Sequence, residues 1–507
     1  MIATRDVLPN LLARRAQETP DRVFLRHVDG EDWTYAKLEQ RVLAWAAALH
    51  ARGVVPGDRV LVMLPNSLES IAIWMAAARL GAIEVPPNIA YRGRFLEHVV
   101  ENADARCAVV AERFLERFEE IRPRFAAFPE LVGLDEASDG ADPPPLVEPA
   151  EHEIATIIYT SGTTGASKGV LDTWAQVHKT AEACPPIDGL GPEDVRYSPF
   201  PLFHMSGKLA VCGAAMTGGT LVIRETWSTS SFWDDVDRFG ITTSILVGAV
   251  PVFITKLPER PDDAEHTLRN VLLGPPPDDP VGFCRRFGVR ASTVFNMTEI
   301  SCPTSTGWDE DQLARGSNGR VRDGYRVRIV DDDDRELPVG EVGEIVVRSD
   351  EPWWLMQGYW RMEDKTVEAW RNLWFHTGDL GRFDERGELY FLDRKKDAIR
   401  RRGENISSME LEAELAEFDG VLEAAVVGVP SEVGEEDVKA FVVPRDAASF
   451  DPAALVAFLE TRVPAFMLPR YVVAMEALPK TPTEKVRKAE LKEWPADERT
   501  WERPGAA

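Results

Sequence analysis

The sequence has no long apolar run. No stretch approaches the roughly 20 consecutive apolar residues that a membrane-spanning helix needs, and residues 1–20 contain no secretory h-region. These residues instead predict an amphipathic helix with Val7, Leu8, Leu11 and Leu12 on one side. We therefore expect an unprocessed protein without a membrane span.

Paired cysteines are also absent. The five cysteines are widely separated and form neither a CxxC pair nor a Cys/His zinc spacing. They are Cys107, Cys184, Cys212, Cys284 and Cys302. This pattern fits the reducing cytoplasm, which is the location we expect.

Positive charge is in deficit, with 58 basic against 84 acidic residues and a formal net charge of −26. Such a chain repels phosphate backbones and anionic lipid headgroups. We therefore expect neither a nucleic acid nor a membrane surface as partner.

The length of 507 residues exceeds what one hydrophobic core usually supports, so at least two domains are expected. Helical patterns at 35–51 and 67–80 alternate with apolar strands at 59–64 and 106–111, and residues 154–300 repeat that rhythm. Short strands follow from 317, and a compact α+β unit follows 396. The fold class predicted is α/β. Residues 1–395 are expected to form a large domain of two α/β subdomains and a small β subdomain, and residues 396–507 a small C-terminal domain.

The segment YTSGTTGASKGV, residues 159–170, packs glycines, hydroxyls and a lysine behind the apolar strand pattern IATII. Backbone N–H groups in such a loop can point at phosphate oxygens, and Lys168 adds charge. Ser167 stands where a Walker A sequence requires Gly, so that motif is excluded. A Ser/Gly-rich linker is the alternative, but a strand and a helical pattern flank the tract closely. The candidate phosphate-binding residues are Thr160, Ser161, Gly162, Thr163, Thr164, Gly165 and Lys168.

This segment resembles the signature loop of the adenylate-forming superfamily, which includes acyl-CoA synthetases, peptide-synthetase adenylation domains and luciferases. Further motifs of that family follow in order: PLFH at 201–204, FNMTE at 295–299, HTGDLG at 376–381, DRKKDAIRRRGENIS at 393–407 and PKTPTEKVRKAELK at 479–492. In FNMTEIS at 295–301 and TEKVRK at 483–488 the chain resembles the crotonobetaine/carnitine-CoA ligase-like branch. The resemblance implies a mobile C-terminal domain, with Lys396 at the hinge.

The resemblance also implies roles for individual residues. His204 lies beside the acyl pocket, Thr298 contacts phosphate, and Glu299 holds Mg²⁺, with Thr160 as a further candidate ligand. Lys485 is the catalytic lysine. Phe295 and Asn296 lie in the nucleotide motif, Asp379 and Arg394 contact ribose, and Gly403 borders the pantetheine tunnel. The chain departs from the family pattern at Phe295, where Tyr is usual, and at Asn296 and Glu484, where Gly is usual.

The implied cofactors are ATP, Mg²⁺ and coenzyme A, and the implied reaction activates a carboxylic acid as an acyl-adenylate before transfer to the thiol of coenzyme A. Two alternatives stay open. In the first, the acyl acceptor is a carrier-protein thiol, an amine or another small nucleophile. In the second, the chain is an inactive nucleotide-binding protein. A homodimer is also left open.

The expected acyl pocket is formed by residues at Trp174, 204–208, 247–250, 273–277 and 296–301. Lys208 has two interpretations. Its ammonium pairs with a second polar or anionic group of the substrate, or it faces solvent on a loop.

Overall fold

The structure is a computed structural model. It describes residues 2–140, 142–160, 167–248, 250–395, 397, 399–401, 404–431, 436–460, 462–463, 465–481, 484–495, 497 and 499–504. The chain divides into two compact units, one of residues 1–326 with 347–375 and one of residues 327–346 with 376–507. In these described ranges, none of the helices combines the length and the apolar character that crossing a bilayer requires.

The helices and strands follow one another along both units. The α-helices are α1 Leu8–Glu18, α2 Tyr35–Ala51, α3 Leu68–Arg79, α4 Gly93–Ala103, α5 Glu112–Ile121, α6 Trp174–Ala183, α7 Met205–Thr217, α8 Phe232–Phe239, α9 Val250–Thr255, α10 Pro280–Phe287, α11 Glu310–Ala314, α12 Glu363–Ala369, α13 Ser408–Ala416, α14 Pro452–Leu459 and α15 Lys488–Lys492. Short 3-10 turns lie at Thr4–Asp6, Arg122–Arg124, Leu134–Glu136, Arg371–Leu373 and Ala465–Met467.

The strands of the first 305 residues are β1 Val23–His27, β2 Asp32–Thr34, β3 Arg59–Met63, β4 Ile83–Val85, β5 Cys107–Val110, β6 Glu130–Val132, β7 Ile154–Thr160, β8 Lys168–Thr173, β9 Val195–Ser198, β10 Thr220–Ile223, β11 Thr243–Val247, β12 Asn270–Gly274, β13 Arg290–Ser292, β14 Val294–Met297 and β15 Ser301–Ser305. Those that follow are β16 Arg320–Val321, β17 Tyr325–Val330, β18 Gly343–Ser349, β19 Phe375–Phe383, β20 Leu389–Arg394, β21 Ile399–Arg401, β22 Glu404–Ile406, β23 Val421–Pro430, β24 Glu436–Pro444, β25 Tyr471–Ala474 and β26 Thr500–Glu502.

Two mainly parallel sheets dominate the first unit. One has the order β6-β5-β3-β4-β7-β8 and the other β13-β12-β11-β9-β10-β1-β2, each with an antiparallel strand at one edge. Their strands read as near-continuous apolar runs because helices cover both faces of a parallel sheet. The main core joins residues of both sheets with helices α1, α2, α3 and α7, and includes the fully buried Trp45.

The second unit contains antiparallel and mixed sheets. Strands β17 to β20 form one sheet in chain order, β21 and β22 form a ribbon, and β23-β24-β25-β26 form a further sheet. Helices α13 and α14 pack on this last sheet through the buried Leu411, Leu415 and Leu455. This arrangement is the α+β unit that the sequence predicts after 396.

The predicted α/β class is confirmed, and several predicted elements match to within a residue. Helix α2 covers the predicted 35–51, and α1 buries the apolar side that the sequence indicates. Strand β8 was not predicted, because its residues read as part of the phosphate loop. The boundary and hinge predicted at 395–396 stay predictions, and Lys396 lies outside the described residues.

Candidate functional site

The predicted phosphate loop connects two paired strands of the first unit. Thr160 ends β7 and Lys168 begins β8, and the two are register partners, with the Thr160 hydroxyl donating to the Lys168 carbonyl at 3.4 Å. The chain therefore enters and leaves the loop at adjacent points of the sheet edge. Ser161, Gly162, Thr163, Thr164 and Gly165 lie outside the described residues, so their phosphate-binding role stays a prediction.

Strands β14 and β15 form a hairpin that carries Thr298 and Glu299 at its turn. The side-chain amide of Gln176 on α6 donates to the Thr298 carbonyl, and the Met356 N–H donates to the Glu299 carbonyl at 2.9 Å. Both contacts hold the backbone of the turn. Phe295 is buried on this hairpin and Asn296 is exposed beside it.

Tyr359 connects Lys168 with Glu299. The Lys168 ammonium lies 4.2 Å from the centre of the Tyr359 ring, and the Tyr359 hydroxyl donates to the Glu299 carboxylate at 3.2 Å. A cation over an aromatic face is attracted by the ring quadrupole. The structure thus brings together a lysine and a carboxylate, Lys168 and Glu299, that lie 131 positions apart in the sequence.

Backbone pairing fixes Tyr359 beside β8. Leu171 donates to the Gly358 carbonyl at 3.0 Å, Gln357 donates to the Leu171 carbonyl at 3.1 Å, and Trp360 donates to the Gly169 carbonyl at 2.7 Å. Sequence reasoning missed Tyr359. No signal in residues 358–360 alone indicates that they line β8, because the pairing joins segments that are far apart in the chain.

Asp379 and Arg394 form a pair within the second unit. They are register partners on β19 and β20, with Arg394 Nε 3.7 Å from Asp379 Oδ1. Asp379 is buried, and its N–H donates to the Thr377 hydroxyl at 3.0 Å. A carboxylate fixed in this way is a suitable acceptor for the two hydroxyls of a vicinal diol. The sequence placed both residues in ribose-contacting motifs, and the structure brings them together.

Lys485 is exposed on a loop of the second unit. Its N–H donates to the Thr481 hydroxyl at 3.1 Å, and its carbonyl accepts from the Thr481 N–H at 2.8 Å. Lys480 and Val486 form an antiparallel bridge on either side. The backbone of Lys485 is therefore anchored while its side chain reaches solvent. Gly403 lies outside the described residues, so its predicted role stays a prediction.

Glu484 has a φ of 61°, in the left-handed region that favours glycine. Its carboxylate lies 3.5 Å from Lys480 Nζ. We expect Glu484→Gly to be more stable than Glu484→Ala by about 1 kcal/mol, because both variants lose the carboxylate but only Ala keeps the Cβ clash. Urea unfolding of both variants measures this difference. Equal stabilities would show that the turn carries no such strain.

His204 is half-buried at the start of α7, where its ring lies 4.7 Å from that of Phe203. Trp174 begins α6, and its ring stacks on Trp74 with centres 5.4 Å apart. Strands β11 and β12 bring Val247 beside Gly274, and the Gly248 N–H donates to the Gly274 carbonyl at 2.9 Å. Two segments of the expected acyl pocket, 247–250 and 273–277, are thus neighbours. Ala249 lies outside the described residues.

The solvent-facing interpretation of Lys208 is wrong. Lys208 is fully buried, its ammonium lies 2.5 Å from Glu84 Oε2, and it also lies 3.9 Å from the centre of the Trp74 ring. The hydroxyl of Thr156 donates to the same Glu84 oxygen at 3.0 Å. Burial raises the pKa of Glu84 and lowers the pKa of Lys208, and their mutual attraction opposes both shifts. The ammonium is therefore engaged by a protein carboxylate.

Asp172 belongs to the same buried layer. Glu84, Thr156 and Asp172 occupy one register row across β4, β7 and β8, so their side chains share one face of the sheet. Among the described residues, neither Asp172 carboxylate oxygen has a hydrogen-bond partner. Burial raises the pKa of Asp172 well above its ordinary value of 3.8, and Glu299 raises it further. Sequence reasoning missed Glu84 and Asp172, because a single acid in an apolar strand gives no signal of its partner.

The raised pKa of Asp172 predicts a pH-dependent stability. The Asp172 carboxyl holds its proton more tightly in the native chain than in the unfolded chain. The free energy of unfolding therefore falls as pH rises from about 3.8, the ordinary pKa, toward the raised pKa of the native state. We expect Asp172→Asn to unfold at a higher temperature than the parent protein at about pH 8.5, with a smaller advantage at about pH 5. Thermal unfolding across this range is the measurement. The exposed Asp323→Asn is the control for loss of one charge, and a pH-independent Asp172→Asn difference would contradict the assignment.

The residues present suit a bound Mg²⁺, one of the cofactors that the sequence resemblance implies. Mg²⁺ binds through one or two carboxylates together with substrate phosphates, and Glu299 supplies a carboxylate fixed by Tyr359. The part of the chain that the structure describes holds no cluster of three or more acidic, His or Cys side chains suited to a metal. A magnesium ion that binds together with a nucleoside triphosphate requires no such cluster.

Comparisons with known proteins show which family the chain resembles. The pattern of the AMP-binding enzyme family matches residues 12–360, and that of the AMP-binding enzyme C-terminal domain matches residues 410–485. Two curated relatives span nearly the whole chain. A sulfoacetate–CoA ligase from Cupriavidus necator is 31% identical over 96% of this chain and 97% of its own length. A crotonobetaine/carnitine–CoA ligase from Salmonella typhimurium is 30% identical over 91% and 93%.

Solved structures with the same fold include o-succinylbenzoate CoA synthetase from Bacillus subtilis in complex with its acyl-adenylate intermediate. That structure has a TM-score of 0.86 and 26% identity, covering 97% of this chain and 99% of its own. The amide bond synthetase McbA from Marinactinospora thermotolerans has a TM-score of 0.81 and 29% identity, covering 95% and 99%. The family pattern and the curated relatives together show that this chain belongs to the AMP-binding enzyme family.

Proposed function

We propose that this protein activates a carboxylic acid with ATP, releasing pyrophosphate, and transfers the acyl group to the thiol of coenzyme A. The observation that carries the proposal is the Lys168–Tyr359–Glu299 arrangement, in a chain whose CoA-ligase relatives match it over nearly its full length. The predicted class of AMP-forming acid–thiol ligase is confirmed by those relatives. The individual residue roles are part of the proposal.

In the first half-reaction a carboxylate oxygen of the acid attacks the α-phosphorus of ATP. A new P–O bond forms, the bond between the α-phosphorus and the bridging oxygen breaks, and pyrophosphate leaves with the electron pair. Two anions meet in this step, so the protein must place positive charge and hydrogen-bond donors around the α-phosphate. Lys168, the Thr298 hydroxyl and Lys485 are the groups to which we assign this task.

Magnesium would supply charge neutralisation between the phosphates, with Glu299 as its protein ligand and Thr160 as a further candidate. The chain's own contribution is to hold Glu299 in place. The Tyr359 hydroxyl fixes one carboxylate oxygen, and the Met356 N–H fixes the backbone. Asp379 and Arg394 would orient the ribose in the same complex.

In the second half-reaction the thiol of coenzyme A loses its proton and its sulfur attacks the acyl carbonyl carbon. The bond to the phosphate oxygen breaks, and AMP leaves as the thioester forms. We propose that the C-terminal unit moves between the two half-reactions, as the sequence resemblance implies. ATP and coenzyme A are cytoplasmic metabolites, so a cytoplasmic location stays our prediction.

The test is pyrophosphate release with a panel of acids, each assayed with and without coenzyme A. The panel contains a sulfonated acid, a quaternary-ammonium acid, a dicarboxylic acid, a short unbranched acid and an aromatic acid. We expect release with a preferred acid and a thioester product that requires coenzyme A. If no acid leads to pyrophosphate release from ATP, the result would instead support the alternative that the chain is an inactive nucleotide-binding protein.

A second acceptor class is supported by the likeness to an amide bond synthetase. Under this alternative the acyl-adenylate is captured by an amine or by a carrier-protein thiol. Pyrophosphate release without a coenzyme A thioester, together with an amide product when amines are supplied, would favour it.

A further inference from the structure

Two cysteines that the sequence treats as isolated contact each other in the first unit. The Cys184 and Cys302 sulfurs lie 3.0 Å apart, and both side chains are buried. A disulfide bond is about 2.05 Å long. The two sulfurs therefore need to approach by only about 1 Å to form a covalent bond.

The surrounding contacts hold both sulfurs in register. Cys184 follows the end of α6 and Cys302 lies in β15. Along the same interface the Thr180 hydroxyl donates to Ser301 Oγ at 3.0 Å, and the Tyr325 hydroxyl donates to the same oxygen at 3.1 Å. Because these contacts already order the two elements, closing the bond fixes little further chain freedom.

Arg322 also joins the two elements. Its guanidinium donates to the Cys302 carbonyl at 2.9 Å and to the Lys179 carbonyl of α6 at 3.2 Å. By contrast, Cys212 contacts the Met216 sulfur at 3.7 Å, and a thioether cannot form a disulfide. Proximity of two thiols thus distinguishes Cys184 and Cys302 from Cys212, which is also buried.

We propose that Cys184 and Cys302 are a site of reversible oxidation that closes to an intramolecular disulfide in the presence of a peroxide. One thiolate sulfur attacks an oxygen of hydrogen peroxide, and the O–O bond breaks. This cysteine becomes a sulfenic acid, and the other oxygen leaves as water. The sulfur of the second cysteine then displaces the sulfenic acid oxygen as water, and the S–S bond forms. Two thiols lose two electrons in total, and one hydrogen peroxide is reduced to two waters.

We expect oxidation at this site to be slow, and we expect its rate to increase as the pH rises. The hydrogen bond with Cys302 and burial raise the pKa of Cys184 well above its ordinary value, although Arg322 and Arg196 oppose this shift. Only the thiolate is nucleophilic, so a rising pH increases the reactive fraction.

The disulfide has a consequence for the reaction, and this part rests on the proposed function. Cys302 lies three positions after Glu299 on the same hairpin. A displacement of about 1 Å near reacting groups can lower a rate by about 100-fold. We therefore expect the closed disulfide to lower pyrophosphate release by at least about tenfold, with recovery after reduction.

Peptide mapping without reductant tests the bond itself. The full-length protein is treated with hydrogen peroxide, and a second sample is expressed in a host with an oxidising cytoplasm, where the pair can close during folding. We expect a linked peptide that contains Cys184 and Cys302 and is lighter by two hydrogen atoms, with free thiols falling from five to three. Two intact thiols in both samples, or linkage of either residue to a different cysteine, would overturn the proposal.

Variants separate the bond from its effect. Cys184→Ala should abolish both the linked peptide and the reversible loss of pyrophosphate release, whereas the buried control Cys212→Ala should keep both. A mapped disulfide with unchanged release would overturn the coupling to the reaction. If the reduced protein releases no pyrophosphate with any acid, the proposed function fails while the mapping still decides the disulfide.

Discussion

Lys485→Ala is expected to lower pyrophosphate release from ATP and the preferred acid by about 10²–10³-fold. A cation aimed at the charge that develops on the α-phosphate is the kind of group whose removal has effects of this size. Lys485 suits the task because its side chain is exposed while its backbone is held by Thr481. The measurement is single-turnover pyrophosphate release.

The second half-reaction provides the internal control for Lys485. Thioester formation from a supplied acyl-adenylate and coenzyme A should stay within a few-fold of the parent rate, since no phosphorus bond to pyrophosphate breaks there. Lys492→Ala, which removes another lysine of the same unit, should leave both half-reactions unchanged. Equal losses of both half-reactions in Lys485→Ala would contradict the assigned role.

Glu84→Gln is expected to destabilise the first unit by about 3–5 kcal/mol, because it leaves the buried Lys208 ammonium without its counter-charge. Thr156 also loses its carboxylate acceptor. The measurement is the free energy of unfolding from urea titration. The double variant Glu84→Leu with Lys208→Met should recover most of the loss, since replacing both members of a buried ion pair by apolar residues is often close to neutral.

The control for this pair is Glu225→Gln. This substitution breaks the ion pair between Glu225 and Arg113, two side chains that are each about half exposed. Exposed ion pairs contribute at most about 1 kcal/mol to the free energy of unfolding. A small effect of Glu84→Gln, equal to that of Glu225→Gln, would show that Lys208 is neutral or finds another partner. Substrate ranking provides a separate readout: Lys208→Met should not selectively weaken acids with a distal anion if the ammonium is engaged by Glu84.

Much of the local structure was predictable because local patterns determine it. The apolar spacing of residues 35–51 predicts α2, and the Thr34 hydroxyl caps it by accepting from the Lys37 N–H. The position before Lys485, where the family motif usually has glycine, is another local feature. The chain has Glu484 there, yet its φ of 61° keeps the backbone conformation that glycine favours.

The site was predictable only in part. Motif order alone led to Thr298, Glu299, Asp379, Arg394 and Lys485, because each lies in a short segment with its own pattern. Tyr359 was missed because its partner strand is β8, about 190 positions earlier in the chain and joined by long-range backbone pairing. The sequence also left open whether Lys208 faces solvent, because burial depends on the elements that cover a residue.

The sequence by itself determined the α/β class, the family and the order of the motifs, since these depend on periodicity and on residue types within short segments. Tertiary structure alone decided which residues meet: Lys208 with Glu84, Tyr359 with Glu299, and Cys184 with Cys302. Each of these contacts joins residues separated by at least 60 positions. One-dimensional patterns do not encode such proximity, because it arises from strand register and from the packing of helices against sheets.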